Sequence, residues 1–313
     1  MKGKDLLSIA DMNREEITLL ISDAIDMKID KWHSILDRKI LALVFEKPSL
    51  RTKVSFDVAM KQLGGHTIYL SPVEIGIGKR ESAYDVASVL CRYIDVIAAR
   101  TFSHKTVEDL ARYADVPVIN ALDDLEHPCQ ALADLLTIYE KKGGFQGVKV
   151  AYVGDGNNVA NSLMLGCTMM GIDFSIASPK GYTVSEPVLK MAVEFSADNG
   201  TNLFCTESPE QAVLGADVVY TDVWTSMGQE EESEKRKQVF AKYKITEDLL
   251  AQAKEDVIFM HPLPAHDGEE VTSDVIHGEY SVVFDQAENR MHAQKALLVQ
   301  MLGGLDMFLR RHK

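Results

Sequence analysis

The stretch Lys39–Glu46, KILALVFE, decides the fold. An unbroken apolar run of this length, without polar alternation, reads as a strand buried on both faces. It hands over directly to a helical pattern from about Ser49. Working outward, DVIAAR (Asp95–Arg100) and VPVIN (Val116–Asn120) repeat the short apolar run. PCQALADLLTIYEKKGG (Pro128–Gly144) is a helix, with proline suited to its first position and Gly143-Gly144 to its end. Leu132, Leu135, Leu136 and Tyr139 share one face of it. The alternation restarts with VKVAYVG (Val148–Gly154), DFSIAS, TNLFCT, DVVYTDVW and DVIFMHP. Strands alternating with helices predict α/β architecture: two doubly wound parallel-sheet domains with an interdomain cleft. The boundary is expected near residue 144, giving domains over 1–144 and 145–284. A last amphipathic helix, 285–313 with its pattern running from about Asp285 to Leu309, has no strand after it and is expected to return to the first domain.

The bulk properties agree. The 313 residues are 46% hydrophobic and 26% charged, the profile of a soluble globular protein. No apolar run approaches a membrane span, and the first residues, MKGKDLLSIADM, lack a signal-peptide apolar region, so a cytoplasmic protein is expected. A formal charge of −14 argues against nucleic acid as a partner. It leaves room for a small anion, because clustered arginines can focus positive potential inside an acidic protein. Cys91, Cys129, Cys167 and Cys205 form no CxxC pair, and reduced core thiols are the plain reading.

Six short motifs carry chemistry. EKPSLRTKVSF (Glu46–Phe56) lies where a strand meets a helix, and helix N-termini bind phosphate oxygens through unpaired N–H groups. Ser49 and Thr52 add hydroxyls and Arg51 a planar fork. A capped helix with a solvated basic first turn would show the same residues. In ARTF (Ala99–Phe102), Arg100 sits at the C-terminal edge of a strand, where open α/β sheets bind ligands; a surface ion pair is the plainer role. EHPCQALADL (Glu126–Leu135) opens a helix with His127 and Gln130 spaced to address one small ligand, the imidazole donating to a carbonyl oxygen that gains charge. The plainer role is a helix-capping histidine beside a solvated glutamine.

VGDGNNVANS (Val153–Ser162) is a glycine-rich strand-to-helix turn, but Val159 replaces the third glycine of a dinucleotide fingerprint. Asn157 and Asn158 read as polar groups at a helix start. DVWTSMG (Asp222–Gly228) and MHPLPAHDGEE (Met260–Glu270) each follow a strand of the second domain. His261 and His266 lack further ligands at metal spacing, so no metal is expected. Arg290, at the start of the last helix, can point toward the cleft.

Together these motifs closely resemble the aspartate/ornithine carbamoyltransferase family, its ornithine branch in particular, over nearly the whole chain. The resemblance implies a carbamoyl phosphate site of Ser49, Leu50, Arg51, Thr52, Arg100, His127, Gln130, Pro262, Leu263 and Arg290. Arg51, Arg100 and His127 are the implied catalytic groups. The family usually reads S-T-R-T-R where this chain has Leu50 and Lys53. H-P-C-Q and D-x-W-x-S-M-G are ornithine-like, and Asn158, Asp222, Ser226 and Met227 are implied to hold the amino-acid end of ornithine. Ornithine enzymes carry H-C-L-P where His261–Pro264 reads H-P-L-P, as in aspartate enzymes. The family also implies a homotrimer or assembly of trimers, with Glu74–Asp85 reaching a neighbouring site. In that stretch Gly76 stands where ornithine enzymes carry histidine or glutamine, and Lys79 and Arg80 are the cations. The implied reaction needs no metal or organic cofactor. Other acceptors (aspartate, putrescine), a silent binding relative or scaffold, and a nucleotide-dependent oxidoreductase are the competing readings.

Overall fold

A computed structural model describes residues 1–78, 80–225 and 230–303. The chain divides into two compact units, Met1–Ala133 together with the chain from Asn289, and Asp134–Glu288. The divisions fall inside two continuous helices, Pro128–Lys142 and Val283–Leu302.

In the first unit, β1 (Ile40–Phe45), β2 (His66–Leu70), β3 (Val96–Arg100) and β4 (Val118–Leu122) form a parallel sheet in the order β2-β1-β3-β4. Leu41 through Phe45 are fully buried, which is why this run carries no polar alternation. Burying each large side chain of that kind stabilises the fold by about 1.5–3 kcal/mol. The sequence did not announce β2. It is an edge strand whose residues are exposed or half-buried, so it lacks the apolar run that marks its neighbours. The strand expected at Val116–Asn120 begins two residues later, after Pro117, whose ring nitrogen has no hydrogen for the ladder.

The chain leaves β1 for β2 on one side and β3 pairs on the other, so strand order reverses between β1 and β3. Phe45 and Arg100 are register partners at the C-terminal ends of those strands, the place where open parallel sheets bind ligands.

The second unit holds β5 (Lys149–Val153), β6 (Asp173–Ala177), β7 (Leu203–Thr206), β8 (Val218–Tyr220) and β9 (Ile258–Met260), all parallel, in the order β7-β6-β5-β8-β9. Here the order reverses between β5 and β8. Of DVVYTDVW only Val218–Tyr220 is strand, and Thr221 onward is loop. The helix Asn158–Met170 is buried on every side from Val159, as a helix apolar all round must be.

The last helix belongs to the first unit from Asn289 on, as its unpaired sequence position predicted. Lys295 donates to Met27 O (3.2 Å), Lys31 O (3.0 Å) and Gln62 Oε1 (3.0 Å), and Gln300 donates to Asp23 (2.8 Å). The expected end at Leu309 lies outside the described residues. Among the described residues no helix is long and apolar enough to cross a membrane.

Candidate active site

The β1-to-helix turn of the first unit delivers the residues read as phosphate ligands. Ser49 is the N-cap of the helix Leu50–Gln62; its Oγ accepts from Thr52 N (3.3 Å) and donates to Thr52 Oγ1 (3.0 Å). Capping and ligand chemistry therefore coexist on this turn. Thr52 is fully buried, and its Oγ1 also accepts from Arg290 Nη2 (3.1 Å). With both lone pairs occupied, the Thr52 hydroxyl proton is left to donate elsewhere. Arg290 Nη1 donates to Gln130 Oε1 (3.1 Å), so one guanidinium joins three segments read separately in the sequence. Leu50 and Arg51 lie on the exposed side of the same turn.

Arg100 ends β3 and is only 6% exposed. Burial, reinforced by Arg290 and Arg51, pulls its guanidinium down to about 10. Among the described residues its Nε has no hydrogen-bond partner. Buried cations that repel one another and keep an unsatisfied donor are costly unless an anion completes the cluster.

His127 precedes the helix Pro128–Lys142, and its carbonyl accepts from Gln130 N (2.9 Å) and Ala131 N (3.2 Å). Burial, then Arg290 and Arg100, hold the imidazole well below its ordinary range, so it is neutral at pH 7. The preceding turn is fixed by Asp123, whose carboxylate accepts from Leu125 N, Glu126 N and the Asn120 amide at 2.7–2.8 Å. Cys129 is buried, and burial pushes its thiol up to about 12, in keeping with an inert core cysteine.

In the second unit the turns after β5 and β8 meet. Asn157 caps the helix Asn158–Met170, accepting from Val159 N (3.0 Å) and Ala160 N (3.1 Å), and its Nδ2 donates to Asp222 Oδ2 (2.8 Å). Asp222 is buried, and that burial raises its carboxyl while His261 and the Asn157 amide oppose the rise. Asn158 is half-buried at the first helical position. His261 is fully buried between Glu270 Oε1 (3.1 Å) and the Leu263 N–H it accepts (2.9 Å). That bond holds Leu263 at φ 56°, a left-handed conformation uncommon for a non-glycine residue. Pro262 is buried between them.

His266, Glu269 and Glu270 bring potential ligand atoms within 4.8 Å of one another, a grouping that single histidines in the sequence did not suggest. Glu269 already pairs with Lys237 (3.0 Å), and Glu270 Oε1 accepts from the His261 ring (3.1 Å) and His266 N (2.7 Å), so both carboxylates already have protein partners. Ser226, Met227 and Lys79 lie outside the described residues.

Residues 4–140 match the model of the aspartate/ornithine carbamoyltransferase carbamoyl-P binding domain, and residues 146–301 match that of the Asp/Orn binding domain of the same family. The chain belongs to the aspartate/ornithine carbamoyltransferase family. It is 53% identical over 309 residues to the ornithine carbamoyltransferase of Pyrococcus abyssi, covering 97% of this chain and 98% of that one. It is 52% identical over 300 residues to the ornithine carbamoyltransferase of Bacillus subtilis, covering 96% and 94% of the two chains. The structure of ornithine carbamoyltransferase from Pyrococcus furiosus superposes with a TM-score of 0.94 at 52% identity, covering 97% of this chain and 98% of that one.

Within this member of the family three buried charged groups went unread in the sequence. Lys47, between β1 and Ser49, is buried; burial and Arg100 lower its ammonium, and it lies 4.8 Å over the Phe102 ring. Asp155 and Arg236 form a buried ion pair beside Asn157 and Trp224. The only sequence signal for Asp155 was its place in the glycine-rich turn.

Proposed function

We propose that this protein transfers the carbamoyl group of carbamoyl phosphate to the δ-amine of L-ornithine, giving L-citrulline and phosphate. The observation that carries the reading is the buried cluster of Arg100, Arg290, Thr52, Gln130 and neutral His127. It offers cations and donors to a small anion with a carbonyl attached.

In this reading the Ser49–Thr52 turn, with Leu50 contributing its backbone N–H, holds the phosphate together with Arg51, Arg100 and Arg290. The Thr52 hydroxyl, Arg100 and the His127 ring N–H face the carbonyl oxygen, with Gln130 at the carbamoyl end. Attack by the neutral δ-amine forms the C–N bond and drives charge onto that oxygen. As the C=O bond re-forms, the C–O bond to phosphate breaks, and the amine proton passes to the departing phosphate. Each oxyanion donor is worth about 3 kcal/mol in such a step. Asp222, buried and costly to ionise alone, gains a counter-ion in the α-ammonium of ornithine. Asn158, Ser226 and Met227 complete the amino-acid end.

Relatives named ornithine carbamoyltransferase at 53% identity support ornithine as acceptor. Pro262 in place of the usual cysteine is the one feature favouring aspartate. The reading extends to a cytoplasmic homotrimer. The exposed apolar side chains Val73, Tyr84, Val89 and Tyr93, in and around Glu74–Asp85 in the sequence, support a subunit contact there. The test offers carbamoyl phosphate with ornithine, aspartate or putrescine and follows phosphate release and product identity. Preferential formation of citrulline is expected; preferential carbamoylation of another amine would overturn the acceptor assignment.

A further inference from the structure

Arg236 lies in the helix Ser233–Phe240, within a charged run, EEESEKRKQ, that would ordinarily be a solvated face. It is instead 3% exposed. Its Nε donates to the carbonyl of Trp224 (2.5 Å), and its Nη2 pairs with the Asp155 carboxylate. The guanidinium carbon lies 4.8 Å from the Tyr182 ring centroid and 5.5 Å from that of Phe240, which also stacks on Trp224 at 5.9 Å. Asp155 belongs to the turn after β5, two residues before Asn157, the side chain that donates to Asp222. Trp224 follows β8 and comes two residues after Asp222. One buried cation thus joins the two turns that carry the polar groups of the second unit.

We infer that Arg236 is a positioning residue for the amino-acid acceptor, fixing the Asp222–Trp224 segment against the Asp155–Asn157 turn. This deepens the reading given under Proposed function and rests on it for the identity of the acceptor. A planar fork can serve a carbonyl and a carboxylate at once, whereas a lysine ammonium on a shorter reach serves them poorly. Among the described residues its hydrogen bonds go to Trp224 and Asp155, so its loss acts through loop geometry.

The test uses Arg236→Met and Arg236→Lys in a Trp32→Phe background, which leaves Trp224 as the only tryptophan. In folded protein, Arg236→Met is expected to raise KM for ornithine at least about tenfold while KM for carbamoyl phosphate stays within about twofold, and Arg236→Lys to fall between. The same substitutions should increase acrylamide quenching of Trp224, a readout that needs no activity. An ornithine KM within about twofold of the parent, or equal rises for both substrates, would overturn the inference. If Arg236→Met fails to fold, the lysine variant decides by the same criteria. If the parent itself does not carbamoylate ornithine, the functional reading fails separately. Unchanged Trp224 quenching in the variants would then still reject the role of Arg236.

Discussion

Replacing Arg290 by methionine separates the stability of the cluster from its chemistry. Arg290 is 5% exposed and donates at 3.1 Å to both Gln130 and Thr52. Two charge-assisted bonds of this kind contribute about 1.5–3 kcal/mol each. Against that loss, the substitution removes a desolvated cation whose burial costs several kcal/mol. It also lifts the repulsion that helps hold Arg100 down to about 10. The two effects oppose each other, so the net change in unfolding free energy should be at most about 2 kcal/mol destabilising. Catalysis has no such offset. A donor to the phosphate and the bracing of Thr52 are lost together, about 3 kcal/mol or about a hundredfold in kcat/KM for carbamoyl phosphate. Urea unfolding and steady-state kinetics at saturating ornithine measure the two quantities. Inorganic phosphate is expected to raise the Tm of the parent protein and not that of the variant. A folded Arg290→Met variant keeping kcat/KM within about threefold would refute the placement of Arg290 in the phosphate half-site.

Two further outcomes follow from protonation. The attacking amine has an unperturbed pKa of about 10.4, so the rate at subsaturating ornithine should climb from pH 6 to 9, and a flat profile would contradict amine attack. His127 is lowered well below its ordinary range by burial and its two arginine neighbours, so the predicted climb is assigned to the amine. Lys295 is buried and pulled down to about 8, below its unfolded value, so the unfolded chain binds more protons between those two values. The stability of the parent relative to Lys295→Met should therefore rise as pH goes from about 8 to about 10, and a pH-independent difference would reject the depressed ammonium.

What the sequence made legible depended on how local the cause was. Ile40–Phe45 could be read because burial on both faces leaves no polar alternation, and the Pro128 helix because proline and glycine mark its ends. The edge strand His66–Leu70 escaped because its partner covers only one side. Tyr139 shared the helical face of Leu132 and Leu136, yet it is exposed and packs edge-on against Phe145 at 5.4 Å. Of the adjacent pair Asn157 and Asn158, the sequence alone does not distinguish the cap, Asn157, from the first helical residue. Arg51, Arg100, His127, Gln130 and Arg290 were visible as separate motifs. Their convergence within the first unit needed the last helix to return there, which its missing strand foretold. Arg236 could not be read, because a charged run looks solvated until a tertiary partner buries one of its members.

The most direct test of the central claim supplies carbonyl-13C carbamoyl phosphate and ornithine to the parent protein, Arg100→Met and Asp222→Asn, and follows the label by NMR. The account predicts labelled citrulline with the new bond at the δ-nitrogen, and a large loss of that signal in both variants. Label on another amine, or undiminished transfer when Arg100 is replaced, would contradict it.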